Sequence, residues 1–169
     1  SYEKYSTQGI MNRTPKLGFI YNYLKKGHSY NGKDGYLRGE IWNYKDGLIE
    51  YIVPITNDLE KAICKLIGRV TTKKIKLAAV PPSNIGKHSS VRDSIKTIVS
   101  RNKKADNKFT NKNDEIIELF DCGTELVRVT DMMPQHETGH RDETVLMEKT
   151  AFVPLDNDLN DVTYIVLDD

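Results

Sequence analysis

Val162-Thr163-Tyr164-Ile165-Val166-Leu167-Asp168-Asp169 is a run of β-branched and aromatic residues that ends in two adjacent carboxylates. Such a run reads as a central strand buried in a parallel sheet, with its acids at the carboxyl edge. In open α/β sheets ligands bind at that edge. Two neighbouring acids there can accept hydrogen bonds from vicinal hydroxyls or hold a divalent cation. The competing reading is a surface strand that ends in a polar turn.

Upstream, Ile75 to Val80 is a second apolar strand, stopped by Pro81-Pro82. A polar loop, Pro82 to Ser90, leads to a helix from Val91 to Arg101 with Val91, Ile95, Ile98 and Val99 facing inward. Before the strand, Asp58 is expected to cap a helix from Leu59 to about Val70, carrying Leu59, Ile63, Leu66, Ile67 and Val70 on one face. Ile49 to Val53 has the composition of a short strand, and Trp42 reads as a buried side chain in a hairpin. Leu17 to Lys26, after Thr14-Pro15, has a helix start signal.

After a Lys/Asn-rich linker, Glu115 to Phe120 is expected to be helical, Thr124 to Val129 helix or strand, and Thr144 to Val153 a strand. Strands separated by helices predict an α/β fold with a mainly parallel sheet. A small irregular α+β segment would precede it. The boundaries are residues 1–56 for a helix/hairpin segment and 57–169 for the core.

Composition narrows the classes. The 169 residues fit one domain, and 29% charged against 38% hydrophobic residues with a net charge of +1 indicates neither a disordered tail nor a strongly basic nucleic-acid binder. Lysines cluster at Lys73, Lys74 and Lys76, and again from Arg101 to Lys112. A solvated face explains both better than a nucleic-acid patch. No stretch is long enough and apolar enough to span a membrane. Cys64 and Cys122 show no CxxC pairing and read as reduced, buried thiols. A cytoplasmic location fits. His136 and His140 have a four-residue spacing, but Pro134 and Gly139 argue against the helix that a metal pair would need.

The final strand with its two acids resembles the first half of the type I phosphoribosyltransferase signature. Ile75 to Ser83, with Val80-Pro81-Pro82, is similar to the strand and pyrophosphate loop of the competence-associated amidophosphoribosyltransferase-like branch. Leu126 to Val129 followed by Met132 to Arg141 is similar to that branch's closing-loop region, and Tyr44-Lys45 approximates its aromatic-Lys segment. The order holds from Ile75 to Asp169. Two departures stand out. A cysteine-rich ribbon is lacking within these residues. The Thr/Gly loop that holds the 5′-phosphate in the family would follow Asp169, so the C-terminal part of the core is expected to be absent from this chain.

The resemblance implies binding of phosphoribosyl pyrophosphate with Mg²⁺. It implies transfer of the phosphoribosyl group to a nitrogen nucleophile, with positional and electrostatic catalysis. Asp168 and Asp169 would face the ribose hydroxyls and touch Mg²⁺, directly or through water. Amides around Pro82, Ser83 and Asn84 would take the pyrophosphate. Lys87, His140 and Arg141 would assist, Arg141 by a two-point grip on phosphate. The alternative is a non-catalytic subunit of the same fold, used for ligand sensing or assembly with a protein partner or as a homodimer. A bacterial defence module is one setting for such a subunit.

Overall fold

The computed structural model describes residues 40–106, 108–132, 143–156 and 158–169. A helical segment at residues 40–45 leads into α1 (Ile49–Ile67). Then follow β1 (Lys74–Ala79), α2 (Ser90–Lys104), β2 (Glu118–Asp121) and β3 (Leu126–Arg128). Helix α3 (Glu143–Glu148), β4 (Thr150–Phe152) and β5 (Val162–Leu167) complete the described chain.

β1, β2 and β5 form a three-stranded parallel sheet in the order β2-β1-β5. β5 pairs with β1 from Lys74↔Val162 to Ala79↔Leu167. The two strands therefore run level and finish together, which sets Asp168 and Asp169 next to Val80. The acids were expected on a central strand. Within the described sheet β1 is central and β5 is its edge neighbour.

Alternation along the strands divides the sheet into two faces. Ile75, Leu77, Ala79, Leu119, Ile165 and Leu167 pack into one core with Ile55, Leu59, Ile63 and Ile67 of α1 and Val91, Ile95 and Ile98 of α2. Each fully buried aliphatic side chain here contributes roughly 1.5–3 kcal/mol. Lys76 and Tyr164, paired in register, face the other way. There the antiparallel pair β3–β4 covers part of the sheet. Its anchor is Glu125, which is fully buried yet satisfied. Glu125 Oε2 accepts from the Tyr164 hydroxyl at 2.7 Å, and Oε1 accepts from the Leu155 amide at 3.0 Å. Phe152 packs edge-on against the Tyr164 ring, 5.9 Å between centroids, and the Lys76 ammonium lies 5.5 Å from the same ring. Burial, and then the Glu125 carboxylate, push the Cys122 thiol up to about 12, so it is an unreactive thiol.

Several expectations need correction. Ile49–Val53 is the first part of α1, not a strand, and Pro54 lies inside that helix. Pro54 removes one helical hydrogen bond at an interior position. Burial of Ile55, Thr56, Leu59, Ile63 and Ile67 on one stripe holds the helix through it. The helix accordingly begins well before Asp58, with Leu48 as its N-cap, and is capped at Gly68. Glu118–Asp121 is strand where helix was expected: Ile117 and Leu119 are buried while Ile116 and Glu118 are exposed, the alternation of an extended chain. The expected strand from Thr144 is helix α3 as far as Glu148 and strand only from Thr150. Trp42 is exposed and helical; Tyr44, two residues on, is the buried aromatic. Cys64 is exposed rather than buried, and neither cysteine forms a disulfide. The candidate helix at Leu17 to Lys26 lies outside the described residues.

No helix among the described residues is long and apolar enough to cross a membrane. Part of each basic cluster is paired with acids: Lys73 with Glu115 at 2.7 Å, Lys74 with Asp158 at 3.1 Å, and Lys108 and Arg101 with Glu60 at 2.7 and 3.1 Å.

Candidate functional site

The carboxyl ends of β1 and β5 converge with the start of α2 and with residues 44–47. The ladder continues one step past the strands, with the Val80 amide donating to the Leu167 carbonyl at 2.8 Å. Beyond it the two chains part. On the β5 side Asp168 and Asp169 are exposed. The Asp169 amide donates to Asp168 Oδ1 at 2.9 Å, and Asp169 Oδ1 is 3.1 Å from the Lys45 ammonium.

On the β1 side the loop is pinned by its carbonyls. Arg128, nearly buried, donates from Nη2 to the Pro81 carbonyl at 3.0 Å and from Nε to the Pro82 carbonyl at 3.1 Å. Its Nη1 reaches Thr150 Oγ1 at 2.6 Å and Met132 Sδ at 2.9 Å. The Met132 amide donates to the Ser83 carbonyl at 2.8 Å. The Lys87 amide closes a turn on the Asn84 carbonyl at 3.3 Å, through Gly86 at φ +76, a conformation glycine adopts without strain. Pro81 and Pro82 have no N–H to offer. The loop's donors are thus the amides that follow them. The Ile85 amide donates to Asp131 Oδ1 at 2.7 Å.

Helix α2 starts beside this loop. Ser89 is its N-cap, accepting from the Arg92 amide at 3.3 Å. His88 Nε2 contacts Asp93 Oδ2 at 2.6 Å. Under the helix start, the Tyr44 hydroxyl lies 2.7 Å from Ser94 Oγ, which lies 2.8 Å from Thr56 Oγ1. Ser90 Oγ donates to the Tyr44 carbonyl. Burial pushes the Tyr44 hydroxyl up to about 12; the bond to Ser94 opposes that, and the charges of Asp169 and Asp93 add to it. Residues 44 and 45 thereby tie the helix start to Asp169.

The fold brings Asp168, Asp169, Pro82, Ser83 and Asn84 to one edge, with exposed Lys87 further along the same loop. His140 and Arg141 lie outside the described residues, as does the proposed closing loop from Met133 onward. Lys45, Arg128 and Asp131 are missing from the sequence-derived site. Arg128 left no usable signal, because any loop residue carries a carbonyl and Pro81-Pro82 is no exception. The same holds for Lys45 and Asp131, whose partners are also far away in sequence.

The acid pair offers hard oxygen donors of the kind Mg²⁺ prefers, and Mg²⁺ is ordinarily held by one or two carboxylates plus substrate phosphates. No group of three or more potential metal-ligating side chains gathers among the described residues. The pair would supply carboxylate oxygens to such an ion, and the remaining ligands would have to come from substrate and water. Comparison with protein-family models, curated proteins and solved structures finds no match to this chain.

Proposed function

We propose that this chain is a phosphoribosyltransferase-like domain that binds phosphoribosyl pyrophosphate with Mg²⁺ at the carboxyl edge of the sheet. One observation carries the reading. Parallel, level pairing of β5 with β1 puts the adjacent carboxylates of Asp168 and Asp169 beside the loop after β1, whose Ile85 amide already holds a carboxylate oxygen. Vicinal hydroxyls of a ribose need acceptors, and a pyrophosphate needs N–H donors. Acceptors and N–H groups on neighbouring strand ends support the reading.

In this proposal Asp168 and Asp169 accept from the ribose hydroxyls. Amides from Ser83 to Ile85 receive the pyrophosphate, with Lys87 adding positive charge nearby. Pro82 acts by shape alone. Mg²⁺, when bound, neutralises charge on the departing pyrophosphate. The chain's own residues orient the sugar so that a nitrogen nucleophile can displace pyrophosphate at C1. Lys45 holds Asp169 in place.

Isothermal titration with phosphoribosyl pyrophosphate, with and without Mg²⁺, tests the proposal. Mg²⁺-dependent heat is expected. A folded protein that gives none would contradict the proposal and favour the alternative of a non-catalytic role.

A further inference from the structure

We propose that Asp131 is a built-in competitor for the anion loop, a carboxylate seated on the Ile85 amide that an incoming phosphate group must displace. The inference rests on the reading of residues 83–85 as an anion site and adds a regulatory element to it.

Two observations carry it. The first is the contact itself: Asp131 Oδ1 accepts from the Ile85 N–H at 2.7 Å, at a solvent-exposed position. A carboxylate on an exposed loop amide marks a donor already engaged by negative charge. A phosphate oxygen would make the same kind of charge-assisted hydrogen bond there.

The second observation is how the segment around Asp131 is held. Its carbonyl accepts from the Lys149 ammonium at 2.9 Å, and the next amide, Met132, donates to Ser83 at 2.8 Å. Arg128, three residues earlier, grips Pro81 and Pro82. These contacts fix the backbone on both sides without using the Asp131 carboxylate. The side chain can therefore rotate off the amide while the loop and the β3 end keep their places. The amide stays oriented, and its occupant is exchangeable.

Competition lowers the loop's affinity for small anions and leaves it to ligands that gain contacts elsewhere, such as one that also reaches Asp168 and Asp169. Inorganic phosphate would be discriminated against in favour of a pyrophosphorylated sugar.

The test is titration of the full chain with inorganic pyrophosphate, followed at the Ile85 amide by nitrogen-edited NMR, for wild type, Asp131→Asn and Asp131→Ala. Asn removes the charge and keeps an oxygen acceptor; Ala removes both. Asp131→Ala is expected to bind about tenfold tighter than wild type, the scale of one hydrogen bond to a charged group. Asp131→Asn should fall between them. The Met132 amide reports whether the loop keeps its place. Equal tightening in the Asn and Ala variants would support the competitor as one that acts through its charge, whereas weaker binding by either variant than by wild type would overturn it. Wild type and Asp131→Ala binding equally would overturn it too, with the anion loop intact. Silence from all three folded proteins would overturn both the competitor and the anion loop.

Discussion

The Lys45 ammonium lies 3.1 Å from the Asp169 carboxylate, joining the segment before α1 to the end of β5. Both side chains are about one-third exposed or more, 40% and 31%, so water screens the pair. An exposed ion pair contributes about 0–1 kcal/mol. Lys45→Met should therefore change the denaturant midpoint little. A double-mutant cycle with Asp169→Asn should give a coupling below about 1 kcal/mol. A coupling indistinguishable from zero would mean that Lys45 does not hold Asp169, and its role in orienting a binding carboxylate would fall.

Arg128 is a different case, because its guanidinium is nearly buried and holds the carbonyls of both Pro81 and Pro82. Arg128→Ala leaves buried acceptors without donors, at about 1–3 kcal/mol for each such group. Lysine cannot reproduce the planar fork, so Arg128→Lys should recover only part of the loss. Urea unfolding of the two variants measures this. Full recovery by lysine would mean that charge, not geometry, holds the loop.

The Tyr44 hydroxyl should titrate near 12, against an ordinary value of 10.0. The folded state holds this proton more tightly than the unfolded state. The resulting stability is present below pH 10.0 and is lost as pH rises from there through about 12. Tyr44→Phe should cost about 1 kcal/mol at neutral pH through the lost bond to Ser94. It should also flatten the alkaline limb of the stability curve. Tyrosinate absorbance and chemical denaturation at several pH values check both. An alkaline limb as steep in the variant as in wild type would assign the loss to other groups.

Burial pushes the Glu60 carboxyl up, but Lys108 and Arg101 more than offset it and hold it below the ordinary 4.5. A lowered carboxyl stabilises the fold above its unfolded value, and that contribution is lost as pH falls through the folded value. Glu60→Gln should therefore be less stable than wild type at neutral pH, with the gap closing below pH 4.5. A gap that stays constant into acid would show that the loss is one of packing rather than charge.

Legibility in the sequence followed the strength of local pattern. β1 and β5 are mainly apolar runs with abrupt stops, at Pro81-Pro82 and at Asp168-Asp169, and α2 has an apolar stripe, so their existence and parallel relation could be read directly. The first half of α1 was misread because Ile49 to Val53 has strand composition and Pro54 looks like a stop. Its stripe through Ile55 and Leu59 becomes evident only once tertiary burial is seen to outweigh the proline. β2 is short, and Ile116-Ile117 fits helix and strand equally well until exposure separates the two residues. At the candidate site, the acids were legible because they are adjacent in sequence. Lys45 on Asp169, Arg128 on the two prolines and Asp131 on Ile85 were not, because pairing across the fold leaves no periodic trace.

The central claim is that the carboxylates of Asp168 and Asp169 bind ligand. Isothermal titration of phosphoribosyl pyrophosphate and Mg²⁺ into wild type and the double variant Asp168→Asn, Asp169→Asn tests it most directly. A hydrogen bond to a charged group contributes about 1.5–3 kcal/mol, so loss of both should weaken binding by roughly two to four decades while the protein stays folded. Binding by the double variant as tight as by wild type would contradict the account and leave the two acids as no more than the polar end of an edge strand.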